Sequence, residues 1–150
     1  MLSARRATAA DAPELARLAA ELVQDTGACT GRLTAFFRDR VETDQVAAFV
    51  IDRPGGLAAC ASATITHSIP GPDHDGTYAH VHTVYTDPDY RLLGYARATV
   101  QTLVDWLTRQ GCGLITLNAS TDGAPLYRSL GFTTNECAMR LVQPVKRSTP

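Results

Sequence analysis

Arg91-Leu92-Leu93-Gly94-Tyr95-Ala96 separates a strand-like run, residues 79–86, from a clearly helical one, residues 95–110. A tight turn opened by a glycine lets successive backbone N–H groups face one anion. The helix that follows adds its unpaired first-turn donors and the positive end of its dipole. The stretch reads as a phosphate cradle at the carboxyl end of a strand, where α/β units place their ligands. An R-x-x-G-x-[GA] spacing is common by chance, so its meaning comes from its flanks.

Working outward, Ala96, Val100, Leu103, Val104 and Leu107 form an apolar stripe, while Arg97, Gln101, Asp105 and Arg109 face away. Gly111 and Gly113 end that helix, residues 114–117 form a short apolar strand, and a last helix covers about 123–130. Gly131-Phe132 leads into terminal strand material ending near residue 142, and residues 144–150 read as a flexible tail. On the other side, residues 78–86 alternate as a strand does and Asp87-Pro88-Asp89 stops them. Residues 69–77 are a loop on composition. Residues 46–52 and a second strand through residue 67 make a hairpin about Arg53-Pro54-Gly55-Gly56.

Nearer the start, a less regular helix covers roughly 33–42, and residues 24–31 break it from an earlier one. That earlier helix opens with Asp11 as cap, Pro13 in the first turn and Glu14 reaching back. Leu15, Leu18, Ala19, Leu22 and Val23 give it one apolar face. Residues 5–8 can supply a first strand. The order β-α-α-β-β-β-α-β-α-β predicts an α+β domain, a mixed central sheet flanked by helices, in a single unit over residues 1–150.

The composition is that of an ordinary globular chain: 45% hydrophobic, 19% charged and net charge −1 over 150 residues. Near-neutral charge argues against a nucleic-acid binder, which carries a basic footprint. No apolar run approaches a membrane span, and the first residues lack the apolar core of a secretory signal. Cys29, Cys60, Cys112 and Cys137 are widely spaced and read as reduced thiols of a cytoplasmic protein. The four histidines have no evident carboxylate companion, so no metal site is expected. Trp106 reads as packing, and Asp73-His74-Asp75 as a hydrated loop.

Two segments resemble the GNAT superfamily of acyl-CoA-dependent N-acyltransferases. Thr83-Val84-Tyr85-Thr86-Asp87-Pro88-Asp89-Tyr90-Arg91-Leu92-Leu93-Gly94-Tyr95-Ala96 is similar to its fourth-strand and pyrophosphate-loop signature. Leu117-Asn118-Ala119-Ser120, then Gly123-Ala124-Pro125-Leu126-Tyr127-Arg128-Ser129-Leu130-Gly131-Phe132, resembles its fifth strand and the L-Y-x-x-x-G-F segment. Each motif is common alone; both in order and correctly separated are specific. Ala96 replaces the last loop glycine, an accepted variant, and Thr83 stands where close relatives often have Asn.

The resemblance implies a GNAT fold with splayed fourth and fifth strands, and acetyl-CoA as acyl donor. Leu92, Leu93, Gly94, Tyr95, Ala96 and Arg97 would cradle the pyrophosphate through backbone donors, with charge from Arg91 or Arg97. The strand at Val84, Tyr85 and Thr86 would pair with the pantetheine arm, and an N–H near Val84 would serve the oxyanion. Tyr127 would hydrogen-bond the departing thiolate. Full proton transfer from a phenol to a thiolate is uphill by roughly 2 kcal/mol at ordinary pKa values, so hydrogen bonding is the better description. Asn118 and Ser120, placed on one side by alternation, would contact pantetheine, although an Asn here also suits a loop cap.

His82 and then His80 are the candidate bases. The period of two puts them on one face, where serotonin-type N-acetyltransferases carry a histidine pair. The resulting expectation is an acetyltransferase acting by direct attack of a primary amine, most simply that of a small molecule. Protein N-termini or lysines, a non-catalytic acyl-CoA sensor and a plain phosphate-binding domain are the alternatives. Homodimers are common among relatives, and the sequence has no feature that decides this.

Overall fold

The computed structural model describes residues 2–25 and 27–144, which fall into two compact units, one up to Asn118 and one from Ala119. The first unit holds a five-stranded sheet in the order β1 (Arg5–Arg6), β2 (Val46–Arg53), β3 (Gly56–His67), β4 (Thr77–Thr86), β5 (Leu114–Leu117). The first three pairings are antiparallel and β4–β5 is parallel, so β5 needs a crossover, which α3 (Tyr95–Arg109) supplies. The helices α1 (Ala12–Leu22) and α2 (Thr30–Arg40) precede β2. The mixed α+β sheet flanked by helices is the architecture expected from the element order.

Strand alternation sorts the two faces of the sheet. Ala48, Val50 and Cys60 join Leu15, Leu18 and Ala19 of α1 and Phe37 of α2 in one buried cluster. The intervening Phe49 points the other way, to the Trp106 ring on α3 at 6.3 Å, and Arg6 stacks over that indole at 4.7 Å. Trp106 is thus a packing residue. Within α3 the buried side chains are Thr99, Val100, Leu103 and Leu107; Ala96 and Val104 are only half-buried. Thr99 is tolerated inside because its hydroxyl donates back to the Tyr95 and Ala96 carbonyls.

Several sequence expectations shift. The first capping interaction lies one turn early: the Thr8 amide donates to Asp11 at 2.8 Å across a 3₁₀ turn, Ala9–Asp11. Glu14, freed from capping, accepts from Arg17 and from the Leu57 amide. Leu22 and Val23 are exposed, so α1 buries Ala16 and Ala20 in place of its last apolar turn. β1 covers two residues rather than four. The terminal strand is absent: residues 133–144 are exposed, with no strand among them, and residues 145–150 of the expected tail lie outside the described residues. Gly71 and His74 form an isolated bridge in the 69–77 loop, so that loop is folded on itself. All four cysteines are free; burial pushes the Cys60 thiol up to about 12. No helix of the described residues is long and apolar enough to cross a membrane.

The carboxyl end of β4 is fixed by an ion cluster. Buried Asp87 accepts from Arg17 at 3.0 and 3.3 Å and from Arg53 at 2.9 Å. Arg17 also binds Glu14 at 2.6 Å and the Leu57 carbonyl at 3.1 Å. α1, the β2–β3 hairpin and the end of β4 therefore share one set of charges. Asp87→Ala is expected to lower unfolding free energy by about 2–4 kcal/mol in urea titrations. That is slightly below the loss for a fully enclosed pair, because both guanidiniums keep some water. Arg17, and secondarily the Leu57 amide, hold the Glu14 carboxyl below its ordinary value of 4.5. Its contribution is therefore complete above that pH and lost as pH falls through the depressed value. Glu14→Gln should flatten this part of the acid-unfolding curve.

Candidate active site

The β4–β5 ladder runs through Tyr78↔Leu114, Ala79↔Ile115, His80↔Thr116 and Val81↔Leu117 and goes no further. β4 continues from His82 to Thr86 with β3 alone as partner. The two strands have therefore parted by the middle of the sheet, leaving one edge of β4 available to an extended ligand.

At the parting point β4 carries a bulge. Ser62 pairs with Thr83 and Ala63 with Val81, so His82 is an extra residue opposite no partner. Consecutive residues of a regular strand face opposite ways, yet His82 and Thr83 both line one cavity. The bulge is what brings Thr83 onto the face that His82 already occupies. The His80 and His82 rings meet edge to face with centroids 4.7 Å apart, on the one face that strand alternation predicts for them. His82 Nε2 is hydrogen-bonded to Thr64 Oγ1 at 2.8 Å and His80 Nδ1 to Thr116 Oγ1 at 2.6 Å. Thr64, His80 and Thr116 lie in register across three strands and orient both imidazoles. Partial desolvation, and then the neighbouring His80, push the His82 pKa below its ordinary 6.5. The residue remains open to solvent on its outer side, so only the direction of that shift matters here.

Beyond Thr86 the chain makes a 3₁₀ turn, Pro88–Tyr90, and enters the cradle. Leu92, with φ 63°, and Gly94, with φ 87°, are both left-handed. Leu92 is fully exposed and buries nothing to offset a conformation that costs an L-residue about 1–2 kcal/mol. Strain of this kind gathers at ligand sites. Gly94 precedes the 15-residue α3, whose first turn begins with Tyr95, Ala96 and Arg97. Leu93 is exposed, and Tyr95 and Ala96 are half-buried. Arg91 Nε donates to the Thr86 carbonyl at 3.1 Å, and its guanidinium stacks on Tyr85 at 5.3 Å. It braces the strand end.

Asn118 is exposed just after β5. Ser120 opens the second unit, where its hydroxyl accepts from the Gly123 amide at 3.1 Å and its carbonyl from the Ala124 amide. It begins the turn into α4 (Ala124–Ser129), and the alternation expected for Asn118 and Ser120 does not extend past Leu117. Tyr127 sits on α4 against Phe132, with ring centroids 6.0 Å apart, and the Phe132 amide donates to its carbonyl. Burial pushes its phenol pKa up from 10.

One component lacked a sequence signal. A cavity of about 430 Å³ opens beside His82, walled by Leu33, Phe36 and Phe37 of α2 and by Val46, Ser62 and Thr64 of the sheet. Its residues come from four separate segments, so no local motif could have assembled them. Thr64 and Thr116 were likewise missed, although strand register from any pairing would have found them. Among the described residues no cluster of three or more His, Cys, Asp or Glu side chains could hold a metal.

The sequence profile described as the acetyltransferase (GNAT) family matches residues 15–132. A glucosamine 6-phosphate N-acetyltransferase of Trypanosoma brucei brucei is 36% identical over 62 residues; the match spans 41% of this chain and 42% of that relative's length. A predicted acetyltransferase of Clostridium acetobutylicum, solved with acetyl-CoA, superposes with TM-score 0.83 at 22% identity, over 95% of this chain and 96% of that one. Glucosamine-6-phosphate N-acetyltransferase of Arabidopsis thaliana gives TM-score 0.77 at 20% identity, over 93% and 97%. At such identities the two structures share the fold. The matched residues include the parted strands, the cradle and the L-Y-x-x-x-G-F segment, and the chain belongs to the GNAT acetyltransferase family.

Proposed function

We propose that this protein moves an acetyl group from acetyl-CoA to the primary amine of a small molecule by direct attack. The observation that carries the reading is the end of β4–β5 pairing at Val81↔Leu117, one residue before the bulged His82. It brings an open strand edge, a candidate base and, five residues past Thr86, the cradle into one short run of chain. The family uses acetyl-CoA, which supplies an activated thioester carbonyl when bound.

In this reading the N–H groups of Leu92 to Arg97 hold the pyrophosphate. Val84, Tyr85 and Thr86 offer their strand edge to pantetheine, with the Val84 N–H as oxyanion donor. Asn118 and Ser120 contact the same arm. His82 takes the proton of the amine. With Thr64 accepting from Nε2–H, the lone pair lies on Nδ1, and the depressed pKa keeps the ring neutral at pH 7. His80, held by Thr116, is the neighbouring imidazole that can relay that proton. Tyr127, whose raised pKa keeps it protonated, donates a hydrogen bond to the thiolate.

Acetyl-CoA at about a hundred times its dissociation constant is expected to add roughly 2.7 kcal/mol of stability, read as a thermal shift well beyond that with adenosine diphosphate. No shift at millimolar acetyl-CoA overturns the enzyme reading. Tyr127→Phe should cut kcat about ten- to a thousand-fold while acetyl-CoA affinity holds. A base works in its neutral form, so activity falls as pH drops through its pKa. For His82 that acid limb should lie below pH 6.5 in kcat/KM, and His82→Gln should abolish it. An unchanged limb in that variant would remove His82 from the role.

A further inference from the structure

We infer that the acceptor is a primary amine carrying an uncharged, aryl-sized apolar group, seated in the cavity between α2 and the β3–β4 face. The inference rests on the acetyl-transfer reading and names the substrate class of that site. The cavity, about 430 Å³, lies within the roughly 300–1,000 Å³ span of small-molecule sites. Its floor is made of buried residues, among them Phe37, Val46 and Ser62; its rim, of Leu33, Phe36, Thr64 and His82, reaches solvent. A ligand entering there places its far end among aromatic and aliphatic carbons and its near end beside the imidazole.

The wall chemistry selects between amines. No Asp, Glu, Lys or Arg lines the cavity among the described residues. A phosphate or a second ammonium would lose its water with no opposite charge to replace it, which is strongly unfavourable. The nearby Arg40 guanidinium is stacked on the Phe36 ring at 5.3 Å, outside the lining. Phe36 and Phe37 meet edge to face at 5.6 Å, an arrangement that a third ring can join. The 36%-identical relative is named for a phosphorylated amino sugar, and these walls are unsuited to that substrate class.

The test compares kcat/KM at saturating acetyl-CoA for 2-phenylethylamine, spermidine, lysine and glucosamine 6-phosphate. In parallel, calorimetry measures 2-phenylethylamine binding to the coenzyme A-loaded protein. The arylalkylamine is expected to exceed each of the others at least tenfold and to give a saturable isotherm. Leu33→Glu, a change at the half-exposed rim, should lower its kcat/KM by tenfold or more, chiefly through KM, with the acetyl-CoA thermal shift retained. Preference for the sugar phosphate or the polyamine, or absence of any binding isotherm while acetyl-CoA still shifts the melting curve, overturns the assignment and leaves acetyl transfer standing. Loss of the acetyl-CoA shift itself removes the reading beneath it.

Discussion

The carboxylate of Asp87 governs the arrangement. It is buried at the boundary between β4 and the cradle, and two guanidiniums from distant parts of the chain converge on it. Its own amide donates to the Ala58 carbonyl, so main chain and side chain are both committed. A buried charge of this kind contributes little net stability compared with an apolar substitute, yet it is costly to leave half-paired. Its value is positional: α1, the hairpin and the last residue before the cradle can meet in only one way. The strained turn that follows starts from a fixed point.

That fixed point is needed because the site itself is locally unfavourable. The bulge at His82 gives up a paired ladder position, and Leu92 holds a left-handed backbone with no packing to favour it. Neither feature would persist in an isolated segment. They sit on either side of Asp87, within a few residues of it, while the aliphatic cluster and the long β2–β3 ladder supply the stability that offsets them. The threonines act similarly at short range. Thr64 and Thr116, from strands on opposite sides of β4, hold two imidazoles that would otherwise rotate freely.

Much of this was readable in the residues. The cradle, the hairpin, the α3 stripe and the L-Y-x-x-x-G-F segment are local patterns whose physics is local too. The errors share a cause. The bulge depends on which residues of β3 face β4, and no periodicity within β4 reports it. Asp11 and Thr8 close a turn before the helix, a contest between two capping residues that spacing alone does not decide. The cavity beside His82 joins α2 to β3 and β4 and exists only once the sheet is built. The strand expected after Gly131-Phe132 has no bonded neighbour among residues 133–144, and none forms there.

The strand order has a consequence for how the chain comes into being. Each strand lies beside its predecessor, and every buried member of the α1–α2 cluster falls between Ala7 and Cys60. A chain emerging from the ribosome thus holds every buried member of that cluster before the first histidine of the site has been synthesised. Those early contacts are close in sequence, which favours rapid assembly. The bulge and the left-handed turn are then added at the growing edge of a sheet already supported from behind. The features most averse to forming alone are translated after that cluster, onto a template that can hold them.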